Sequence, residues 1–327
     1  MKLRKFVSFG LASVLSLSLS GFVYASETIT VEGYDADKNI IDIEVPYAPE
    51  TIITLDYVAL DLIYALGELD KVVGAAMSSA PSYLAEVLED TQIVNLGGLK
   101  EYDLEEMMSL QPDIIFSSGR TISAYDMLTM IAPTIASSLD YTNYYDSFKE
   151  ITVRNASILG YADAVDETLA EYDARVEALQ EAAEGKTMIL GLTTNGGFST
   201  LGNESRASIL GTTIGFENLA IDVDATHGNA SSYELLVELD PDYIFVIDRD
   251  TATNAEGASP AQQLLDNELV HMTQAWQNDN IIYLDPSVWY LAEGGLYAMD
   301  IMLADIESAF PELIKETEQL EEVLDEE

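Results

Sequence analysis

Glu105–Arg120 reads EEMMSLQPDIIFSSGR, and Glu234–Arg249 reads ELLVELDPDYIFVIDR. The Glu, Leu, Pro-Asp, Ile-Phe and final Arg recur at a constant offset of 129 residues. Each copy carries the same signals in the same order: a short apolar helix, a Pro-Asp turn, a buried strand, and an arginine where the strand ends. A repeat spaced this widely marks a duplicated domain and not a solenoid period. The chain is therefore expected to fold as two similar α/β lobes. Open α/β sheets bind ligands outside the carboxyl ends of their strands, so two matching arginines there predict an anion-binding cleft between the lobes.

Outside the block the alternation continues. Thr51–Leu55 reads as a strand and Tyr57–Leu66 as an amphipathic helix stopped by Gly67, with further strands at Val72–Ala76 and Ile131–Ser137. Such alternation implies a mostly parallel sheet covered by helices. From Ala162 to Ala183 the apolar residues Ala162, Val165, Leu169, Tyr172, Val176 and Leu179 alternate spacings of three and four, the stripe of one long helix. Gly160 and Gly185 bracket it. The expected organisation is an N-terminal lobe over 26–160, a connecting helix over 161–185, and a C-terminal lobe over 186–327. In that last lobe the pattern restarts with a strand at Thr187–Thr193, a helix near Ala207–Ile214, the second block and a strand at Ile281–Leu284, and Glu316–Glu327 reads as a frayed acidic tail.

The first 25 residues read differently: Lys2, Arg4 and Lys5 precede an uncharged apolar run from Phe6 to Val23, and Val23 and Ala25 are residues a signal peptidase reads. Cleavage is expected after Ala25. The alternative is an uncleaved anchor, since about 18 apolar residues just span a bilayer. Leu19-Ser20-Gly21 resembles the start of a lipoprotein signal, but Phe22 stands where the lipid-bearing cysteine would be, and the chain has no cysteine. The expected product is an exported, periplasmic, monomeric protein with no disulfide and no lipid anchor.

Loss of the three leader cations takes the formal charge from −44 to −47. Such a charge repels nucleic acid and anionic lipid, and most of the acids are expected on a solvated surface. Five arginines remain, at 120, 154, 175, 206 and 249. A sequence this poor in cations that still ends both copies of its repeat with one points to a use for them. Arginine offers a rigid fork of donors for carboxylate, phosphate or catecholate oxygens, which makes Arg120 and Arg249 the leading ligand-binding candidates; intramolecular salt bridges are the alternative. Arg206, in Gly202-Asn203-Glu204-Ser205-Arg206 at a helix entry, is a third.

His227, in the loop Ala225-Thr226-His227-Gly228-Asn229, is placed to reach a cleft, whereas His271 sits on a helix without a polar cluster. Trp289 and Tyr290 follow a strand end and precede Glu293-Gly294-Gly295, a place that suits either a cleft wall or core. Two histidines and no cysteine are too few for a structural zinc or a multi-histidine metal site. No glycine-rich phosphate loop follows a strand, and no G-x-S-x-G elbow is present.

At Ser117-Ser118-Gly119-Arg120, Ser205-Arg206, His227-Gly228, Val246-Ile247-Asp248-Arg249 and Tyr283-Leu284-Asp285-Pro286 through Trp289-Tyr290, the chain resembles the ferric-siderophore-binding proteins of ABC importers. These are class III periplasmic binding proteins, and the likeness is to the branch carrying catecholates of the enterobactin and petrobactin type. It runs from about Pro49 to Phe310. The resemblance implies two Rossmann-like lobes joined by one long helix, a shallow ligand cleft between them, and no catalysis. It further implies that Arg120, Arg206 and Arg249 surround catecholate oxygens. His227 and Tyr290 would be the iron ligands, the Fe(III) arriving as a siderophore complex with no intrinsic cofactor.

Glu105 and Glu234 match the family's acidic residues that dock into arginine pockets of the inner-membrane permease. Each stands at the opposite end of its block from the cleft arginine, which suggests a separate face; their plain alternative is helix-start glutamate complementing the dipole. Two departures bear on the ligand's charge: Glu204, two residues before Arg206, is placed to neutralise that arginine, and Glu293 adds a negative charge near the same site. Other readings are a binding protein for haem, cobalamin or a hydroxamate siderophore, an exported enzyme with His227 as general base, or an adhesin.

Overall fold

The structure, a computed structural model, describes residues 27–89, 91–220, 229–230, 233–255, 257, 259–311 and 313. The leader, His227 and the acidic tail lie outside the described residues. The strands are β1 (Thr28–Tyr34), β2 (Ile40–Pro46), β3 (Ile52–Thr54), β4 (Val72–Ala75), β5 (Val94–Asn95), β6 (Ile114–Ser118), β7 (Thr134–Ser137), β8 (Thr187–Thr194), β9 (Gly197–Leu201), β10 (Glu217–Asn218), β11 (Asn229–Ala230), β12 (Tyr243–Asp248) and β13 (Ile281–Tyr283). The helices are α1 (Tyr57–Ala65), α2 (Ser82–Leu88), α3 (Leu104–Leu110), α4 (Tyr125–Leu128), α5 (Tyr144–Leu159), α6 (Asp166–Ala183), α7 (Tyr233–Leu239), α8 (Arg249–Ala252), α9 (Ala261–Leu265), α10 (Gln274–Gln277) and α11 (Leu296–Glu307).

The first lobe holds a parallel sheet in the order β5-β4-β3-β6-β7, with the hairpin β1–β2 beside it. The second holds β11-β9-β8-β12-β13, with β10 also on β8. Here β8, β10, β12 and β13 are parallel, while β9 turns back as a hairpin strand antiparallel to β8. Tight Asn195-Gly196, both at positive φ, makes that hairpin and is the turn signal that strand-helix alternation alone passes over. Between the lobes α6 forms the expected long helix, shorter at its start than the apolar stripe because Ala162–Val165 is a 3₁₀ turn. Gly160 closes α5 at φ 87, a left-handed position that favours glycine.

The repeat has a mechanical meaning. In each lobe the Pro-Asp aspartate and the threonine that opens the neighbouring central strand clasp each other. Thr51 N–H donates to Asp113 Oδ2 at 2.9 Å while Asp113 N–H donates to Thr51 Oγ1 at 3.0 Å. The same pair of bonds joins Thr187 and Asp242 at 2.9 and 3.0 Å. The helix before each proline ends on a left-handed residue, Gln111 or Asp240. Turn, clasp and strand are thus one duplicated unit that fixes where Arg120 and Arg249 emerge.

One contiguous core runs through both lobes, and a smaller cluster around Ile189, Leu236, Ile244 and Leu265 lies on the outer side of the second sheet. The joint is made by α11, which crosses back to pack on α1. Asp61 of α1, fully buried, accepts the N–H groups of Tyr297 and Ala298 at 2.7 and 2.9 Å and the hydroxyl of Tyr83 at 2.5 Å. A side chain of one lobe therefore caps a helix of the other. A Cβ on Gly295 would stand 2.6 Å from the Asp61 carboxyl carbon, so only glycine lets the two approach.

Asp61→Ala is expected to lower stability by about 2–4 kcal/mol in urea unfolding, because three donors lose their buried acceptor. Burial pushes the Asp61 carboxyl up to about 6, against the lowering pull of the Tyr83 hydroxyl and the α11 N–H groups. The native state then keeps a proton that the unfolded chain releases between about pH 4 and 6. The stability of the wild type relative to Asp61→Asn should rise as pH falls through that window and decline as pH rises through about 6. A pH-independent difference between the two would contradict this.

Candidate functional site

The turn after β6 is held by Thr121, whose Oγ1 accepts from Ser118 N–H at 3.0 Å and bonds the Ser117 hydroxyl at 2.8 Å. This sets Arg120 at the strand end, where its side chain is exposed. At the matching end of β12, Asp248 caps α8 through Thr251 N–H at 3.0 Å and accepts Ala261 N–H at 2.8 Å, fixing Arg249 as the first residue of α8. Arg206 lies in the turn after β9, pinned by the Ser205 hydroxyl on Gly202 O at 2.9 Å. Asp285 accepts the N–H groups of Ser287 and Val288, each at 2.9 Å, and so starts the helical segment Val288–Ala292 that carries Tyr290.

All three arginines converge on Tyr290. Its main-chain carbonyl accepts from Arg120 Nη2 at 2.6 Å and from Arg206 Nη1 at 2.8 Å, and its hydroxyl accepts from Arg249 Nε at 3.0 Å. The guanidinium carbons of Arg206, Arg120 and Arg249 stand 4.4, 5.5 and 5.8 Å from the ring centroid. The ring face offers each cation a favourable quadrupole, which offsets part of their mutual repulsion.

Above this cluster lies a cleft of about 960 Å³, lined by Ser78, Ser79, the 96–103 segment, Arg120, Arg249, Thr253, Tyr290 and Leu291. Beneath it a chamber of about 330 Å³ reaches Asp56, Tyr57, Tyr141, Arg206 and Glu293. The cleft is thus walled by both lobes and floored by the segment ahead of α11. Sequence reasoning passed over Asp56, Tyr57 and Tyr141, which carry no signal except proximity in space. Burial pushes the Asp56 carboxyl up to about 7, opposed by the Val58 N–H and by Arg154 and Arg120.

Three expectations need correction. Trp289 is fully buried, its indole N–H donates to Asp305 Oδ2 at 2.8 Å, and it lines neither cavity; it anchors the Tyr290 segment to α11 and is not a cleft wall. The partner that neutralises Arg206 is Glu293, at 3.0 Å, and not Glu204, whose side chain is exposed. Glu105 and the cleft arginines share one end of the lobe. Helix α3 begins at the strand-end side, since its cap Asp103, which accepts Glu105 and Glu106 N–H groups at 3.0 Å, lines the same cleft as Arg120. The opposite ends of the block in sequence fold back to one rim in space. Glu105 is exposed in the first turn of α3, and Glu234 is exposed in the first turn of α7.

Two α/β lobes, a connecting helix and an arginine-lined interlobe cleft define a solute-binding protein of the two-lobed, helix-linked class. The periplasmic binding protein family profile matches residues 52–288, and the chain belongs to that family. It is 33% identical to the petrobactin-binding protein YclQ of Bacillus subtilis over 89% of this chain and 91% of that protein. The crystal structure of YclQ superposes with a TM-score of 0.80 over 87% of this chain and 99% of that one. The ferric-anguibactin-binding protein FatB of Vibrio anguillarum is 25% identical over 79% of this chain and 81% of its own length. The structure of the catecholate-siderophore-binding protein VctP of Vibrio cholerae matches with a TM-score of 0.78 at 27% identity, over 86% of this chain and all of that one.

Among the described residues no helix is long and apolar enough to cross a membrane, and no group of histidine and acidic residues forms a metal site.

Proposed function

We propose that this protein captures a ferric catecholate siderophore outside the cytoplasmic membrane and delivers it to an ABC permease, with no chemistry of its own. The observation that carries the reading is the convergence of Arg120, Arg206 and Arg249 on Tyr290 at the floor of an open interlobe cleft. Catecholate oxygens are anionic, planar acceptors, and guanidinium forks on two sides of a cleft suit them. Relatives named for petrobactin, anguibactin and catecholate siderophores support the same class over haem or cobalamin.

In this reading residues 1–25 are a leader removed on export, the lobes over 26–160 and 186–327 are the two jaws, and the product acts as a monomer. His227 and Tyr290 would complete the coordination of iron when a siderophore supplies fewer than six donors, ferric iron being a hard cation that accepts phenolate and imidazole. The Tyr290 phenol oxygen, held at the cleft by Arg249, supports that role from one side. Glu105 and Glu234 would meet cationic pockets of the permease. Their position on the rim of the cleft would set the permease over the cleft mouth, where a released ligand has the shortest path.

Arg120→Ala and Arg249→Ala should each weaken ferric catecholate binding by about 1.5–3 kcal/mol, the range for charge-assisted hydrogen bonds. Calorimetric titration checks this, and wild-type affinity in both folded variants would reduce the arginines to surface salt bridges. With a tetradentate ferric catecholate, binding should shift the charge-transfer absorption, and the double substitution His227→Ala with Tyr290→Phe should abolish the shift; identical spectra would remove direct ligation. Glu105→Lys with Glu234→Lys should leave siderophore affinity within about twofold while uptake of labelled ferric siderophore falls sharply, since like charges would then meet at the permease. Normal uptake would leave both as ordinary helix-start residues.

A further inference from the structure

Three guanidiniums gathered around Tyr290 suggest a guest with three negative charges, but the carboxylates beside them change the balance. Glu293, 7% exposed, is held from three directions. Its Oε1 accepts from Arg206 Nη1 at 3.0 Å and from the Tyr141 hydroxyl at 2.8 Å, and its Oε2 accepts from Ala207 N–H at 3.1 Å. Arg206 is itself only 5% exposed, so this is a buried ion pair, geometrically fixed and fully partnered on the acid side. Arg249 is likewise set against Asp250 at 3.3 Å. Among the described residues only Arg120, of the three, makes no ion pair. Elsewhere on the two linings the cations Lys38 and Lys100 are equalled in number by the acids Glu101 and Asp103.

We infer that Glu293 is a specificity residue of this cleft: by holding the charge of Arg206 inside the protein, it tunes the site to ferric complexes of low negative charge and against trianionic ones. This rests on the proposed function. The charge follows from the donors. Ferric iron with two doubly deprotonated catecholates is a monoanion, and with three it is a trianion. The site, with one arginine left uncompensated, matches the first. Because Glu293 reaches the guest's surroundings through Arg206, it acts by positioning and charge and not by contact.

A pair of probes isolates charge from shape: the ferric and the titanium(IV) complexes of one hexadentate tris-catecholate have the same donors and geometry, but the first is a trianion and the second a dianion. Wild-type protein should bind the titanium complex at least about threefold tighter. Glu293→Gln removes a negative charge that repels both guests in proportion to their own, so it should raise the affinity of the ferric trianion about tenfold and of the titanium dianion about fivefold, narrowing the preference about twofold. Glu293→Asp, which keeps the charge, should keep the preference. A wild type that favours the ferric trianion overturns the inference even if the glutamine variant fails to fold. An unchanged ratio in the folded glutamine variant also overturns it. Binding of neither complex, nor of the ferric bis-catecholate, would instead overturn the siderophore reading and this inference together.

Discussion

The main-chain carbonyl of Tyr290 accepts one hydrogen bond from Arg120 of the first lobe and one from Arg206 of the second, and the cleft is arranged around that shared acceptor. A carbonyl has two lone pairs, and here each is given to a cation. Two guanidiniums brought to one oxygen repel each other, so something must offset that repulsion. The ring face of Tyr290 does so for all three arginines, and Glu293 does so for Arg206. The result is a cationic surface that is preorganised before any ligand arrives, which spares the ordering cost of long side chains on binding.

That arrangement survives only if the lobes keep their relative position. The Tyr290 segment leads directly into α11, and α11 is capped by Asp61 from the opposite lobe. Trp289, anchored on Asp305, ties the same segment down from below. Arg175 of the connecting helix adds a bidentate pair with Glu307 at 2.7 and 2.8 Å and a bond to Asp300 at 2.6 Å, so α6 is clamped along α11. Ion pairs of this geometry contribute more than exposed single pairs. The position of the three arginines is thus controlled by a joint of packed helices, and the helix that links the lobes in sequence is also what braces them in space.

Much of this was legible in the chain. The repeat at 105–120 and 234–249 gave both lobes, both strand ends and both arginines, because hydrophobic periodicity and a Pro-Asp turn are local signals. The clasps Thr51–Asp113 and Thr187–Asp242 explain why that turn recurs, yet each joins residues some distance apart, and no local pattern reveals them. Arg206 was visible only as an arginine at a helix entry, the family likeness supplied its role, and the structure brings it to the same tyrosine. Trp289 was misplaced because a residue after a strand end reads equally as wall or core, and only the position of Asp305 decides it. Glu293 was visible as an acid near an anion site, but its pairing needs the turn after β9 folded against the segment after β13. Glu105 shows the remaining limit: sequence distance from Arg120 suggested another face, and the antiparallel run of helix against strand puts it on the same rim.

The formal charge of −44 gives the arginine cluster its significance, since an anionic ligand approaching the proposed site must cross a repelling surface to reach it. The most direct test is a crystal structure of the protein with a ferric catecholate complex. The account predicts the complex in the interlobe cleft, with catecholate oxygens within hydrogen-bond distance of Arg120 and Arg249 and the Tyr290 carbonyl still bonded to Arg206. A complex seated away from these arginines, or a Tyr290 segment rebuilt to release Arg206 from Glu293, would contradict it.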